Sequence, residues 1–302
     1  MCTHPMPARR VNGQIEFMQR SSLGRLGHLA TLQIPCGQCA ECRLKRSREW
    51  AVRCVHEASL HAENCFLTLT YDDAHLKSPS LDYTDFQLFM KRLRARFFGR
   101  RIGHFTCGEY GETNPATGIK DGGLYRPHFH SILFNFNFPD RVPCKLLGGA
   151  DLFKSVIADG LWRQGAVKIG EVSFESAAYV ARYAMKKVNG DLAKAHYTII
   201  TPDGEMIERT PEMLAMSKRP AIGKRWFEKF GKQVYTHDSV VARGKEMQPP
   251  RYYDKLLPPV VRQIVADVRQ ENGEIHRLDH TDARNNVRDV VVRAGLSQFN
   301  RE

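Results

Sequence analysis

Alternation and helical spacing divide the chain into elements. Phe66-Leu67-Thr68-Leu69-Thr70-Tyr71 is rich in β-formers and predicts a central strand, closed by Asp72-Asp73. Thr84-Asp85-Phe86-Gln87 has the form of a capping box. Behind it Phe86, Phe89, Met90, Leu93 and Phe97 recur at helical spacing and predict a helix over 84–98 that packs on a sheet. Its outer charges, Lys91, Arg92, Arg94 and Arg96, read as a solvated face. Residues 101–110 predict a second strand, 127–136 a third, 150–162 a helix and 166–172 a fourth strand. The order from residue 66 is thus β-α-β-β-α-β. That is the split βαβ pattern of an α+β, ferredoxin-like or RRM-like core, a central antiparallel sheet with helices on one face.

The flanks carry weaker patterns. Residues 1–35, punctuated by Pro5, Pro7, Gly13, Gly24 and Gly27, predict an irregular arm with one short strand near 29–34. A helix over 41–61 sets Trp50, Ala51, Cys54, Val55 and Ala58 on one stripe and Arg43, Lys45, Arg46, Arg48 and Arg53 on a basic one. Residues 197–209 predict a hairpin around Thr201-Pro202-Asp203-Gly204. Between 216 and 232, Lys218, Arg219, Lys224, Arg225, Lys229 and Lys232 interleave with Trp226, Phe227 and Phe230. That mixture suits phosphate contact with base stacking, and equally a basic helix with an apolar face. Pro249-Pro250 and Pro258-Pro259 bracket a linker-like stretch before a helix over 259–271 and a charged, mobile tail from Glu271. The expected organisation is a Cys-rich arm and basic helix (1–62), a core (63–190) and a basic C-terminal extension (191–302).

Composition narrows the class. The 302 residues hold 45 Lys and Arg against 33 Asp and Glu, a formal charge of +12, which favours polyanionic partners. No apolar run approaches the ~18 residues that span a bilayer, and the first residues lack the apolar core of a signal peptide. The 8 cysteines are too sparse for a secreted disulfide scaffold, so a reducing, cytoplasmic setting is expected. Three of them form Cys36-Gly37-Gln38-Cys39-Ala40-Glu41-Cys42. As thiolates they could hold a structural zinc, with Cys2 or His4 as fourth ligand. The alternative is a set of reduced thiols at a helix start.

The candidate chemistry centres on Arg126-Pro127-His128-Phe129-His130. On a strand, His128 and His130 share a face, and paired imidazoles can bind a metal ion. An antiparallel partner ending in Gly108-Glu109-Tyr110-Gly111-Glu112 would bring Glu109, or alternatively Glu112, beside them. Further on, Ser173 can cap a helix on which Tyr179, Arg182, Tyr183 and Lys186 lie on one face and Ala177, Val180, Ala184 and Val188 on another.

These residues together resemble the HUH endonucleases. The resemblance is closest to the replication initiation proteins of the Microviridae, in the gokushovirus branch of small single-stranded DNA phages. It rests on His128-Phe129-His130, Gly108-Glu109-Tyr110-Gly111, the 66–71 strand, Tyr179-x-x-x-Tyr183, Met1-Cys2, the cysteine ladder with Arg43, Trp50 and Arg53, and residues 217–226. It implies His128 and His130 as ligands of Mg²⁺ or Mn²⁺ with a third polar ligand. It also implies Tyr179 and Tyr183 as nucleophiles that nick an origin, keep the 5′ end as phosphotyrosine and leave a 3′ hydroxyl as primer. Lys186 or Lys187 would assist the phenol or the leaving oxygen. Arg43, Arg46, Arg53, Arg126, Arg182, Lys218, Arg219, Lys224 and Arg225 are the DNA-contact candidates. Single-stranded or locally melted origin DNA and the host helicase and polymerase are the expected partners. The rivals are a plasmid relaxase or transposase with the same chemistry, a metal hydrolase with no covalent step, and a zinc-dependent nucleic-acid-binding protein without catalysis.

Overall fold

The computed structural model describes residues 2–18, 32–112, 125–144, 152–182, 187–188, 190–200 and 204–299. The chain divides into two compact units, one of residues 47–253 and one of residues 1–46 with 254–302.

In the second of these, β1 (Met6–Val11) pairs antiparallel with β2 (Gln14–Phe17) and β3 (Leu32–Ile34). The expected irregular arm is therefore a small sheet. Asn12 and Gly13 both adopt positive φ, 49° and 79°, the geometry of a two-residue hairpin turn, and Asn-Gly is the strongest short hairpin signal. The chain then enters α1 (Ala40–Ala58).

The larger unit is built on a seven-stranded antiparallel sheet. Its central strands are β4 (Asn64–Thr70), β5 (Gly103–Tyr110) and β6 (Pro127–Phe134), with β7 (Val142–Cys144), β8 (Leu152–Lys154) and β9 (Val167–Gly170) on one side. The spatial order is β12-β5-β6-β4-β9-β8-β7, where β12 is Met213–Met216. Its centre, β5-β6-β4-β9, is the order expected of a split βαβ core, with β6 inserted between β4 and β5.

Alternation along the strands gives the sheet two unlike faces. On one, Leu67, Leu69, Phe129, Leu133 and Ile169 are fully buried against α2 (Tyr83–Arg96) and α3 (Val156–Trp162). Phe86, Phe89 and Leu93 of α2 and Trp162 of α3 fill that layer, and the Trp162 indole N–H donates to the Thr70 carbonyl at 2.9 Å. These are the two helices expected on one face. The opposite face carries a second layer the sequence pattern did not assign: Ala51 and Cys54 of α1, with Ala177, Val180 and Ala181 of α4 (Phe174–Arg182), pack on Phe105, Cys107, Ile132 and Phe134.

Several boundaries differ from expectation. Asp82, not Thr84, caps α2, its carboxylate accepting from the Thr84 N–H at 2.8 Å. The helix expected over 150–162 begins at Val156, because Ser155 ends β8 and caps α3, accepting from the Ala158 N–H at 2.9 Å. Ser173 does cap α4, accepting from the Ser176 N–H at 3.1 Å.

C-terminal to α4 come α5 (Leu192–Tyr197), β10 (Thr198–Ile200) and β11 (Met206–Glu208), the two strands pairing as the expected hairpin. Then follow α6 (Lys224–His237) and the hairpin β13 (Val240–Ala242) and β14 (Lys245–Met247). The linker-like stretch holds a short helix, α7 (Arg251–Asp254), whose Tyr253 is fully buried. In the smaller unit α8 (Pro259–Ile275) is followed by α9 (Asp282–Phe299). The tail from Glu271 is thus helical rather than irregular. Thr281 accepts from the Arg284 N–H at 3.4 Å, in the position of an N-cap.

Candidate metal and tyrosine site

Three adjacent strands and one helix build the site. Antiparallel register sets Glu109 of β5 and Thr70 of β4 opposite His128, and Cys107 and Thr68 opposite His130. Directly opposed residues share a face, so Glu109, His128, His130 and Thr68 all rise on the face that α4 covers. Gly108 makes the close approach possible, since a Cβ there would lie 2.9 Å from the Phe129 ring.

The two histidines converge on one oxygen. His128 Nε2 lies 2.8 Å and His130 Nε2 2.9 Å from Glu109 Oε1. Their other nitrogens are held from behind: His128 Nδ1 by the Arg126 carbonyl at 3.2 Å, and His130 Nδ1 by the Thr68 hydroxyl at 3.0 Å. A carbonyl only accepts, so His128 Nδ1 carries the proton. A neutral His128 then aims a bare lone pair at a carboxylate oxygen, an arrangement that needs a cation. Two ligands about 2.1 Å from one ion and at right angles to each other stand about 3.0 Å apart, close to the spacing found. The donor set therefore fits a divalent ion. Burial pushes the Glu109 carboxyl up. The hydrogen bonds and charges of His128 and His130 outweigh burial and hold it below the usual carboxylate range, so it stays anionic. Glu112 lies past the end of β5 and is outside this cluster.

Tyr179 stands over the site from α4. Its ring meets His130 edge to face at 4.9 Å and Phe66 at 6.4 Å, while Phe66 stacks on His130 at 5.6 Å. The Arg182 guanidinium lies 5.8 Å from the Tyr179 ring centre. Lys187 is exposed; Tyr183 and Lys186 lie outside the described residues.

A second cluster lies in the smaller unit. The sulfurs of Cys2, Cys36, Cys39 and Cys42 all fall within 4.8 Å of one another, so Cys2 rather than His4 completes the ladder. Cys2 Sγ is 3.6 Å from Cys36 Sγ and 3.8 Å from Cys39 Sγ. Disulfide bonds are about 2 Å long. Edges of a tetrahedron with 2.3 Å zinc–sulfur bonds are about 3.8 Å. The Cys36 and Cys39 backbone N–H groups each donate to a sulfur of the cluster at 3.3 Å, which favours thiolates.

The basic candidates separate into two groups. Arg53 is not available to DNA: it is buried, its guanidinium lies 3.9 Å from both the Trp50 and Tyr252 rings, and it donates twice to the Ile222 carbonyl at 2.9 and 3.1 Å. Trp226 likewise packs inward rather than offering a stacking surface, 3.4 Å from His56 and 5.8 Å from Tyr253. Arg126 is exposed but tied to Asp73 and to the Tyr71 carbonyl. Arg43 contacts the Gln38 side chain and Arg46 the Gly37 carbonyl within the cysteine loop. Lys218, Arg219 and Lys224 are exposed, Lys224 within 3.5 Å of Glu228, and Arg225 is half-buried. Sequence reasoning did not single out Thr68. Its signal was its place in a strand of the same period, beside the histidines.

Residues 64–188, from the first residue of β4 to just beyond α4, match the family model of the replication-associated protein ORF2. The chain is 37% identical over 264 residues to the replication-associated protein VP4 of Bdellovibrio phage phiMH2K, covering 83% of this chain and 76% of that protein. This chain belongs to the Microviridae replication initiators. The initiator is also 31% identical over 238 residues to the replication-associated protein ORF4 of Chlamydia phage 1, covering 76% of this chain and 55% of that one. A third relative, the replication-associated protein ORF2 of Spiroplasma virus 4, is 31% identical over 239 residues, with 74% and 67% covered. No solved structure matches the initiator. Among its described residues no helix is long and apolar enough to cross a membrane.

Proposed function

We propose that this initiator starts rolling-circle replication by nicking one strand of origin DNA with a tyrosine oxygen. The observation that carries this reading is the Tyr179 ring set 4.9 Å from His130, beside the point where two imidazole nitrogens meet Glu109. The Tyr179 oxygen attacks the scissile phosphorus and the bond from phosphorus to the 3′ oxygen breaks. The phenol gives up its proton and the departing 3′ oxygen takes one up. The 5′ phosphate stays on the protein as phosphotyrosine, so the bond energy is kept for rejoining. Mg²⁺ or Mn²⁺ bound by Glu109, His128 and His130 supplies Lewis-acid stabilisation of charge building on the phosphate. Thr68 and the Arg126 carbonyl fix the imidazole orientation, and Arg182 draws the phosphate towards Tyr179. Tyr183, four residues on, acts as the second nucleophile, with Lys186 or Lys187 as cationic support. The strand is unpaired at the site. The freed 3′ hydroxyl primes host polymerase, with host helicase opening the duplex in the bacterial cytoplasm.

The test uses labelled single-stranded origin DNA with Mn²⁺, followed by denaturation. The expected result is label retained on protein and a free 3′ hydroxyl on the other fragment, both lost with EDTA. Cleavage leaving a free 5′ phosphate would sink the covalent step. The four-thiol cluster we assign to one structural zinc, on the tetrahedral sulfur spacing. Elemental analysis of anaerobically purified protein is expected to give one zinc per chain, and clearly less removes the assignment.

A further inference from the structure

At the opposite end of β5 and β6 from the metal ligands lies a cavity of about 430 Å³. Six residues of β5 separate Glu109 from Gly103 on its wall, about 20 Å at strand rise. Arg94, Arg100, Arg101, Arg219 and Arg225 all line it. Three are committed to the protein: Arg94 to the Ile102 carbonyl at 3.2 Å, Arg100 to Glu63 and the Asn135 carbonyl, and Arg101 to the Arg219 carbonyl. Their charge nonetheless remains in the pocket. The Arg219 and Arg225 side chains make no hydrogen bond or ion pair with any described residue.

A second observation points to the ligand. Phe97 and Phe98 follow α2 in succession and part ways. Phe97 packs on Phe136 at 4.7 Å, while Phe98 is 94% exposed on the rim of the cavity. A bare phenyl ring beside unpaired guanidinium groups is the pairing that binds an unpaired nucleotide, the ring stacking on a base and the cations on its phosphates.

We propose that this cavity is a second binding site for single-stranded DNA, with Phe98 stacking a base and Arg219 and Arg225 holding the adjoining phosphates. The proposal extends the nicking reading, because it places a flank of the same strand about 20 Å from the cleavage point. At 3.4 Å per stacked nucleotide that is about six nucleotides away. The site holds the strand in register and retains it after the cut.

The test is fluorescence anisotropy with the full chain in EDTA, which reads binding and not chemistry. A long single strand that reaches both sites is compared with a short one that reaches only the metal ligands. Phe98→Ala and the double variant Arg219→Gln, Arg225→Gln are each expected to shrink the long strand's advantage, roughly tenfold for the ring. The double variant is also expected to lower the salt slope by about 1.4, two phosphates at 0.7 each. Circular dichroism melts confirm that each variant is folded. An unchanged advantage in folded variants overturns the proposal. So does a loss confined to duplex DNA and indifferent to Phe98→Ala, which would make the cavity a duplex site. Because no cleavage is read, a failed nicking assay leaves this result standing on its own.

Discussion

His130 is held from four sides: by Thr68 at 3.0 Å, Glu109 at 2.9 Å, the stacked ring of Phe66 and the edge of Tyr179. Removing one support tests the arrangement. Thr68→Val keeps the shape and deletes the hydroxyl, and groups of this kind are worth roughly 10–100-fold in metal affinity. Mn²⁺ titration of cleavage is expected to shift by that order, with Thr68→Ser restoring it. Arg53 gives the contrary case. Arg53→Ala leaves the Ile222 carbonyl without its charged donor and is expected to cost about 2–3 kcal/mol in chemical denaturation, with no change in the salt dependence of DNA binding. The metal ligands were legible because a period of two fixes which side chains share a face, and an antiparallel neighbour supplies the acid. Arg53 was not, because a basic stripe on a helix reads as solvent-facing. The sign of burial was Trp50 one turn before it. Thr68 was hidden because its role exists only once β4 and β6 are paired.

At the scale of elements, α1 carries a built-in pH response. Burial pushes the His56 imidazole down to about 4 from an ordinary 6.5, and burial followed by the charge of Arg94 does the same to His104 on β5. Both are neutral in the folded chain. The unfolded chain therefore binds more protons between pH 6.5 and 4, and stability falls as pH falls through that window and is complete above it. Melting temperatures are expected to be level above pH 7 and to drop towards pH 4, with a shallower slope in His56→Gln. On β6, Phe129→Ala opens the layer beneath α2 and is expected to cost about 3–5 kcal/mol. The order of core elements was readable from hydrophobic period alone. The misjudged pieces were those decided by a single residue: the Asn12-Gly13 turn, the Asp82 cap, and Ser155 dividing a predicted helix into a strand and a shorter helix. The layer formed by α1 and α4 was unreadable for another reason: nothing in an amphipathic stripe says which face of a sheet it will cover.

Across the whole molecule, charge and thiols divide the labour. The net +12 serves the polyanion, while the four gathered cysteines tie together the ends of the smaller unit's N-terminal segment. Chelating zinc under reducing conditions is expected to open residues 1–46 to limited proteolysis while fragments of 47–253 persist; an unchanged digestion pattern would count against a structural ion. The alternation on β6 has a consequence of another kind. Phe129, Ser131 and Leu133 belong to the core, and His128 and His130 to the chemistry, on one eight-residue strand. Substitutions can thus alter either set without touching the other. Losing or gaining a single residue inside the strand cannot, because it exchanges the two sets at once. In a library of one-residue deletions, β6 is expected to be a zone without survivors, bounded by loops that tolerate change, and natural variation in length should gather outside Pro127–Phe134.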